Sequence, residues 1–154
     1  MFSDMKTKPM EILLVEDGLV DAKITIHALR RSMVHHRLTL VRSTTEALQF
    51  LRREGIFGRA PSPDLLLLDL CLPDGDGLDV VTAMREFTDR RAFTPVVVLT
   101  SSDDTETRER CRSMNIDDFI SKPVDEEQFL RVVREHKRLL MFSHTALSRV
   151  TAAV

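Results

Sequence analysis

The sequence predicts an α/β fold in which helices cover both faces of a parallel β-sheet. Five short segments rich in Val, Ile and Leu alternate along the chain with longer segments that have helical spacing. Three of the short segments, at 11–17, 64–70 and 94–100, are apolar on both faces, which is typical of strands in a sheet covered on both sides. This alternation predicts right-handed strand–helix–strand crossovers within one domain of 154 residues.

The five predicted strands are short, and several of them end in polar residues. They are EILLVED (11–17), RLTLVRS (37–43), DLLLLDL (64–70), TPVVVLT (94–100) and DDFISK (117–122). The third strand places one carboxylate, Asp69, directly after a run of leucines. Because a buried charge is costly unless it is paired or reaches water, Asp69 should lie where the strand meets a polar pocket.

Amphipathic helices are predicted between the strands and after the last one. In the first helix, apolar residues recur at positions 22, 26, 29 and 33, which lie on one helical face. The predicted caps are Ser43 for the second helix, Asp103 or Asp104 for the fourth and Asp125 for the fifth. The third helix follows the turn at 75–77, and the long segment REGIFGRAPSP (53–63) indicates a surface insertion.

Composition narrows the classes of function. The net charge of −2 and pI of about 6.2 lack the basic footprint of proteins that bind nucleic acid. The apolar runs are far shorter than the roughly 20 residues that span a membrane, and the N-terminus lacks the apolar segment of a secretory signal. We therefore expect a cytoplasmic protein that binds neither nucleic acid nor membrane, with Cys71 and Cys111 as reduced thiols.

Polar residues end four of the predicted strands. They are Glu16 and Asp17 on the first strand, Asp69 on the third, Thr100 on the fourth and Lys122 on the fifth. In an open parallel sheet, ligands bind at the carboxyl ends of the strands. If the first and third strands are neighbours, three carboxylates converge there, with a hydroxyl and an ammonium group beside them.

Such a group of side chains suits phosphoryl chemistry. Clustered carboxylates raise each other's pKa unless a cation joins them, and oxygen ligands suit a hard ion such as Mg2+. A lysine and a hydroxyl beside such an ion can bind a phosphoryl group, and one carboxylate can become an aspartyl phosphate. Each acid taken alone could equally be a helix cap or a turn residue. The joint occurrence of all of them favours the phosphoryl site.

Four motifs resemble the receiver domain of two-component response regulators. They are ILLVEDG, LLLLDLCLPDGDGLDV, PVVVLTSS and FISKP, and the resemblance spans about Ile12–Leu140. It implies a flavodoxin-like (βα)5 fold, a doubly wound five-stranded parallel sheet of order 2-1-3-4-5. The motif EDGLVDAKIT, the LTSS ending and the long segment before Asp64 look most similar to small stand-alone regulators, which include partners of phytochrome kinases.

The resemblance implies a phosphoacceptor and a metal site. Asp69 matches the phosphoacceptor position, and Asp17 matches the main Mg2+ ligand, which Glu16 assists directly or through water. Cys71 lies two residues after Asp69, where the family uses a backbone carbonyl as a metal ligand. The thiol of Cys71 is therefore expected to be incidental.

The resemblance also implies a switch. Thr100 matches the hydroxyl that moves onto the phosphoryl group, and Lys122 matches the lysine that pairs with it. Phe119 occupies the position of the switch aromatic, where tyrosine is commoner in the family, and Ser101 replaces a small apolar residue. The Lys122–Pro123 bond is commonly cis in this family, and X–Pro is where cis bonds cost least.

The implied reaction is transfer of a phosphoryl group from the phosphohistidine of a sensor histidine kinase to Asp69. The protein would be a switch that phosphorylates itself and slowly dephosphorylates itself, not a metabolic enzyme. Its fourth helix, fifth strand and fifth helix would change for partner docking or dimerisation.

A haloacid-dehalogenase-type phosphatase would need Asp where Cys71 stands, and an NTPase would need the motif G-x-x-x-x-G-K-[ST]. A pseudo-receiver that is never phosphorylated is disfavoured because every expected pocket residue is present.

We expect a receiver domain over 1–143, with an extended last helix, and a short tail over 144–154 without an output domain. A fifth helix from Asp125 to about Phe142 would be roughly 27 Å long, and a buried strand spans only about 20 Å. Its last turn, LLMF (139–142), would then project past the sheet. This favours a homodimer through the last helix. The alternative is that this end folds back over the core.

Overall fold

The computed structural model describes residues 8–101 and 105–143, and within them five strands form a parallel sheet in which the second strand lies at one edge, followed by the first, third, fourth and fifth. The strands are β1 Met10–Val15, β2 His36–Val41, β3 Leu65–Asp69, β4 Val96–Thr100 and β5 Asp118–Ser121. The helices are α1 Leu19–Arg31, α2 Thr44–Arg52, α3 Leu78–Arg85, α4 Thr105–Arg112 and α5 Glu126–Glu135. The predicted flavodoxin-like fold and strand order are confirmed.

The register of the sheet brings the carboxyl ends of its strands together. Val15, the last residue of β1, pairs with Val41 on one side and with Leu68 on the other. Thr100, the last residue of β4, pairs with Ser121, the last residue of β5. The residues that follow β1, β3 and β5 therefore meet at one edge of the sheet.

The core lies on both faces of the sheet, as the doubly apolar strands predict. Every residue of β3 and β4 is buried. Leu67 packs with residues of α1 and α5, and Leu66 packs with residues of α2 and α3 on the opposite face. Because successive side chains of a strand point to opposite faces, both positions must be apolar. Each buried leucine contributes about 1.5–3 kcal/mol to stability.

Two of the predicted helix caps are confirmed. The Ser43 hydroxyl accepts a hydrogen bond from the N–H of Glu46 at 3.1 Å, and the Asp125 carboxylate accepts one from the N–H of Gln128 at 2.8 Å. Such caps stabilise a helix by about 1 kcal/mol each. The alternative caps of the fourth helix, Asp103 and Asp104, lie outside the described residues, as does the tail 144–154.

The segment 53–63 lies at the surface and has an anchor in the core. It contains a short 3-10 turn at Gly55–Phe57, in which the side chain of Ile56 is 90% exposed. The ring of Phe57 packs edge-on against that of Phe50 in α2, with centroids 5.5 Å apart. The surface insertion predicted from the sequence is therefore packed against α2 through an aromatic contact.

The expected extended last helix is wrong. α5 ends at Glu135, and His136 has extended dihedral angles (φ −104°, ψ 118°). After this break, Leu139 and Phe142 are buried in the α1–α5 side of the core, whereas Leu140 and Met141 are exposed. A continuous helix would carry all four side chains past the sheet, so the break at His136 is stabilised by burial of two large apolar groups. The chain folds back over the core, as the alternative expectation had it.

The remaining predictions from composition concern membranes and cysteines. None of the helices within the described ranges combines the length and the apolar character needed to cross a membrane. Both cysteines carry thiols, Cys71 at the surface and Cys111 within the core. Cys71 is thus the thiol that solvent reaches.

Candidate functional site

The candidate site lies where β1, β3 and β5 end, and a lysine connects two carboxylates there. The Nζ atom of Lys122 lies 2.9 Å from Oε1 of Glu16 and 3.1 Å from Oδ2 of Asp69. The sequence predicts that these side chains meet only if β1 and β3 are neighbours, and the two strands pair in the structure. The three side chains are separated by up to 106 positions in the sequence, so the sheet register alone brings them together.

Contacts within the protein hold the two carboxylates in place. Glu16 is 1% exposed and Asp69 is 9% exposed. Oε2 of Glu16 accepts a hydrogen bond from the N–H of Gly18, and Oδ1 of Asp69 accepts one from the N–H of Cys71, both at 3.1 Å. Each carboxylate thus has one oxygen on the lysine and the other on the backbone. Such fixed, shielded charges need no reorganisation when a charged group arrives.

Burial and mutual charge shift the protonation of this group. Burial raises the pKa of the Glu16 carboxyl, and the neighbouring Asp69 raises it further, while Lys122 opposes the change. Burial alone would lower the pKa of Lys122, but Glu16 and Asp69 outweigh this effect and raise the pKa above its usual value. Lys122 therefore remains a cation at neutral pH and can face added negative charge.

Thr100 supplies a hydroxyl at the same edge. Thr100 is 4% exposed, and its carbonyl oxygen accepts a hydrogen bond from the N–H of Lys122 at 2.8 Å. Over the described parts of the chain, Oγ1 of Thr100 is buried and has no hydrogen-bond partner. Leaving a buried hydroxyl unpaired costs about 1–3 kcal/mol. This hydroxyl is therefore available to a group that enters the pocket.

The loop after β3 passes close to Asp69 and requires a glycine. Two-residue strands, Cys71–Leu72 and Gly75–Asp76, pair to form a small hairpin. At Gly77, a Cβ atom would lie 2.8 Å from the carbonyl oxygen of Asp69, which is too close for any other residue. The Pro- and Gly-rich turn thus brings the chain back over the end of β3 and into α3.

Asp17 lies at the rim of the site and faces an arginine. Its side chain is 48% exposed, with Oδ1 3.6 Å from Nη2 of Arg42. The same Nη2 donates a hydrogen bond to the carbonyl oxygen of Asp17 at 2.9 Å. Within residues 8–101 and 105–143, no three His, Cys, Asp or Glu side chains are grouped as a metal site would need. Glu16 and Asp69 thus meet, whereas Asp17 points to Arg42.

Phe119 lies within β5, and Lys122 and Pro123 follow the end of that strand. Phe119 is partly buried against the α2–α3 side of the core, and the guanidinium carbon of Arg108 lies 5.1 Å from its ring centroid. A cation in this position attracts the ring by about 0.5–1 kcal/mol at an exposed site. The Lys122–Pro123 peptide bond is cis, as expected.

Three residues near the site were missed by the sequence analysis. Oδ2 of Asp21, in the first turn of α1, lies 3.3 Å from Nζ of Lys122. Arg42 pairs with Asp17, and Arg110 of α4 pairs with Asp76 in the hairpin. A helix that follows a site strand begins near the site, so the position of Asp21 carried a usable signal. The two arginine contacts depend on tertiary packing, and no local sequence pattern indicated them.

Comparison with known proteins gives a family match over most of the chain. Residues 12–134 match the response regulator receiver domain. Response regulator Rcp1 of Synechocystis sp. is 31% identical over 132 residues, which cover 86% of this chain and 89% of that protein. The bacteriophytochrome response regulator RtBRR superposes with a TM-score of 0.74 at 30% identity, over 95% of both chains. The phosphorylated cyanobacterial phytochrome response regulator RcpA gives 0.70 at 33% identity, over 83% of this chain and 91% of that one.

Two other similar structures contain a metal ion. The Mn2+-bound form of Rcp1 has a TM-score of 0.69 at 32% identity, over 80% of this chain and 89% of that one. The receiver domain of sensor histidine kinase PA1611 from Pseudomonas aeruginosa has Mg2+ in its active site cleft, with a TM-score of 0.69 at 26% identity over 83% and 97% of the two chains. Since the match spans residues 12–134 and the sheet has the strand order that the resemblance implied, this chain belongs to the response regulator receiver domain family.

Proposed function

We propose that this chain is a response regulator that accepts a phosphoryl group on Asp69 from the phosphohistidine of a sensor histidine kinase. The observation that supports this most is the position of Lys122 between Asp69 and Glu16, beside the buried and unpaired hydroxyl of Thr100. A nucleophile, a cation and a hydrogen-bond donor at one strand edge are what phosphoryl transfer to a carboxylate requires.

The phosphoryl group moves from the kinase to Asp69 in one displacement. A carboxylate oxygen of Asp69 attacks phosphorus, the bond from phosphorus to the kinase imidazole nitrogen breaks, and the imidazole keeps the electron pair and takes up a proton. Lys122 offsets the added negative charge, and the Thr100 hydroxyl donates to a phosphoryl oxygen. Water later attacks the phosphorus slowly, the bond from phosphorus to the Asp69 oxygen breaks, and inorganic phosphate leaves while Asp69 returns to a carboxylate. The protein is thus a switch that reacts once and resets.

The same edge can hold a divalent cation. The donors are oxygen atoms throughout, namely the carboxylates of Glu16, Asp17 and Asp69 and the backbone carbonyl of Cys71, and this set fits Mg2+. When bound, Mg2+ offsets the charge of the carboxylates and the phosphoryl group. In this proposal, the buried Glu16 and Asp69 already lie together, and Asp17 joins them from the rim.

We propose a phytochrome-type histidine kinase in the cytoplasm as the partner. The support is that similar proteins, RtBRR and RcpA among them, carry the names of bacteriophytochrome and phytochrome response regulators. Phosphotransfer from a purified kinase of that type, compared with an unrelated histidine kinase, tests this choice. Equal transfer from both kinases would contradict it.

The proposed output is a change of the α4–β5–α5 surface. When the Thr100 hydroxyl moves to a phosphoryl oxygen, Phe119 would move inward and alter the contact with Arg108. A homodimer through the segment that follows α5 is part of this proposal, supported by the exposure of Leu140 (43%) and Met141 (59%). Sedimentation at high micromolar concentration, with and without beryllofluoride, tests the dimer. A monomer under both conditions would contradict it.

Incubation with acetyl phosphate and Mg2+ tests the central proposal. Intact-mass measurement should show one added phosphoryl group on the wild type and none on Asp69→Asn. The matched control is Asp64→Asn, a carboxylate at the opposite end of the same strand, and it should be phosphorylated like the wild type. An unmodified wild type, or a phosphorylated Asp69→Asn, would refute the assignment of Asp69.

A further inference from the structure

Arg42 is placed beside Asp17 by the pairing of β1 with β2. Val15 and Val41 are register partners, and the N–H of Glu16 donates to the carbonyl oxygen of Val41 at 3.0 Å. Arg42 directly follows Val41, and Asp17 lies two residues after Val15, so both residues lie just beyond the paired ends of the two strands. The contact between them follows from the sheet and does not depend on a flexible loop.

The backbone of Arg42 is fixed independently by α2. Its N–H donates to Oε1 of Glu46 at 2.9 Å, and Glu46 also takes part in the cap that Ser43 provides. With this anchor, the guanidinium reaches back across the edge of the sheet to Asp17. It binds the backbone carbonyl at 2.9 Å and lies 3.6 Å from a carboxylate oxygen.

In this position, Arg42 competes with a divalent cation for the carboxylate of Asp17. Asp17 faces the guanidinium while Glu16 and Asp69 face Lys122, so Asp17 must leave its pair with Arg42 to join the other carboxylates. A guanidinium beside the rim also repels a second cation. Since both partners are about half exposed, at 47% and 48%, the pair is weak enough for a divalent ion to displace.

We propose that Arg42 is a positioning residue that holds Asp17 at the rim and thereby weakens Mg2+ binding. This inference rests on the proposed function, in which Asp17 is a metal ligand. It gives the site a built-in competition: the cation that favours phosphorylation must first displace a cation that the protein itself carries. The competing charge comes from the connection between β2 and α2.

Isothermal titration of the full chain with Mg2+ tests the inference without any phosphorylation. Arg42→Gln keeps a side-chain donor for the Asp17 carbonyl and removes the charge, and it should bind Mg2+ about 2- to 5-fold more tightly than the wild type. Arg42→Lys keeps the positive charge and should bind Mg2+ with an affinity close to that of the wild type. The gain in Arg42→Gln should shrink as salt rises from about 0.1 M to 1 M, because the screening length falls from about 10 Å to 3 Å.

The matched control is Arg37→Gln. Arg37 lies in β2, the strand that Arg42 follows, and pairs with Glu11 at 3.7 Å, at the opposite edge of the sheet. Its removal changes the net charge of the protein by the same amount, so it should leave Mg2+ affinity unchanged. An equal gain in Arg37→Gln would overturn the inference, because it would assign the effect to net charge.

A double-mutant cycle with Asp17→Asn separates this inference from the proposed function. Weaker Mg2+ binding by Asp17→Asn supports Asp17 as a ligand, and unchanged binding refutes that part of the proposed function. If Asp17→Asn binds more weakly and Arg42→Gln binds no more tightly than the wild type, the inference alone fails. The gain from Arg42→Gln should also vanish in the Asp17→Asn background. Its persistence there would show that Arg42 does not act through Asp17, and would overturn the inference.

Discussion

Carboxylates occur at both edges of the sheet, but their surroundings differ. At the amino edge, Asp64 directly precedes β3, and its Oδ2 accepts the N–H of Glu11 at 2.8 Å. Asp117 directly precedes β5, and its Oδ2 accepts the N–H of Val96 at 2.7 Å. In both pairs the N–H of the aspartate donates to the carbonyl of the same neighbour, and an arginine lies 3.2 or 3.7 Å from the carboxylate. Both carboxylates thus bind a backbone N–H of the neighbouring strand and an arginine, and they stabilise the ends of the strand pairs.

At the carboxyl edge, Glu16 and Asp69 accept N–H groups only from the loops that follow their own strands, at Gly18 and Cys71. Glu16 and Asp69 share Lys122, and the hydroxyl of Thr100, judged against the described residues, has no partner. The difference has a physical cause. The amino end of a parallel strand presents N–H groups, which a carboxylate can accept, whereas the carboxyl end presents carbonyl oxygens, which it cannot. Acids at the amino edge therefore serve the fold, and acids at the carboxyl edge are left for cations and ligands.

The largest expected effect is that of Asp69→Asn compared with Asp64→Asn. Asp69→Asn should abolish phosphorylation and leave the melting temperature equal to or above that of the wild type, because it removes one of three carboxylates beside Lys122. Asp64→Asn should keep phosphorylation and lower the melting temperature. Intact mass and circular dichroism melting measure both. If Asp69→Asn melts well below the wild type, the distinction between the two edges is wrong.

Asp117→Ala is expected to have the next largest effect, on stability alone. It leaves the N–H of Val96 without its acceptor and Arg85 without its ion pair, which should cost about 1–3 kcal/mol in the free energy of unfolding. Urea unfolding measures this loss. Asp79→Ala, at an exposed position of α3, is the control and should change stability by less than about 0.5 kcal/mol. Loss of phosphorylation in folded Asp117→Ala would argue against a purely structural role.

What the sequence predicted of the site follows the same distinction. Glu16, Asp69 and Lys122 could be found because each ends an apolar run, and the topology of a parallel sheet brings such ends together. Asp64 and Asp117 were included in the predicted strands. Their role as acceptors depends on which N–H of the neighbouring strand lies opposite, and that register is not visible in the local pattern.

The extent of the last helix could not be predicted for a related reason. The helical pattern continues past Glu135 into the LLMF turn, and local preference gives no reason to stop. The chain breaks at His136 because Leu139 and Phe142 can then pack against residues far away in the sequence, such as Met10. Contacts of that range decide the end of α5, and the caps Ser43 and Asp125 were predictable because their contacts are local.

Two buried threonines at opposite ends of β4 give a smaller and sharper comparison. The hydroxyl of Thr94, before the strand, donates to the carbonyl of Pro63 at 3.4 Å, whereas that of Thr100 has no partner among the residues described. Thr94→Val should therefore destabilise the protein by about 1 kcal/mol, and Thr100→Val should be neutral or slightly stabilising. Chemical unfolding of both variants checks this. A clear loss of stability in Thr100→Val would mean that its hydroxyl already has a partner.

The smallest expected effect is a dependence on pH at the amino end of β5. Burial alone would raise the pKa of the Asp118 carboxyl, but Arg131 and His136 outweigh burial and lower the pKa below its usual value. Because the folded pKa is depressed, the contribution of Asp118 to stability is complete above about pH 4 and is lost as the pH falls through the folded pKa. Unfolding free energies measured from pH 6 to pH 2 should therefore fall less steeply at the acid end in Asp118→Asn than in the wild type. Parallel curves would show that the contacts with Arg131 at 2.9 Å and His136 at 2.7 Å do not stabilise the ionised carboxylate.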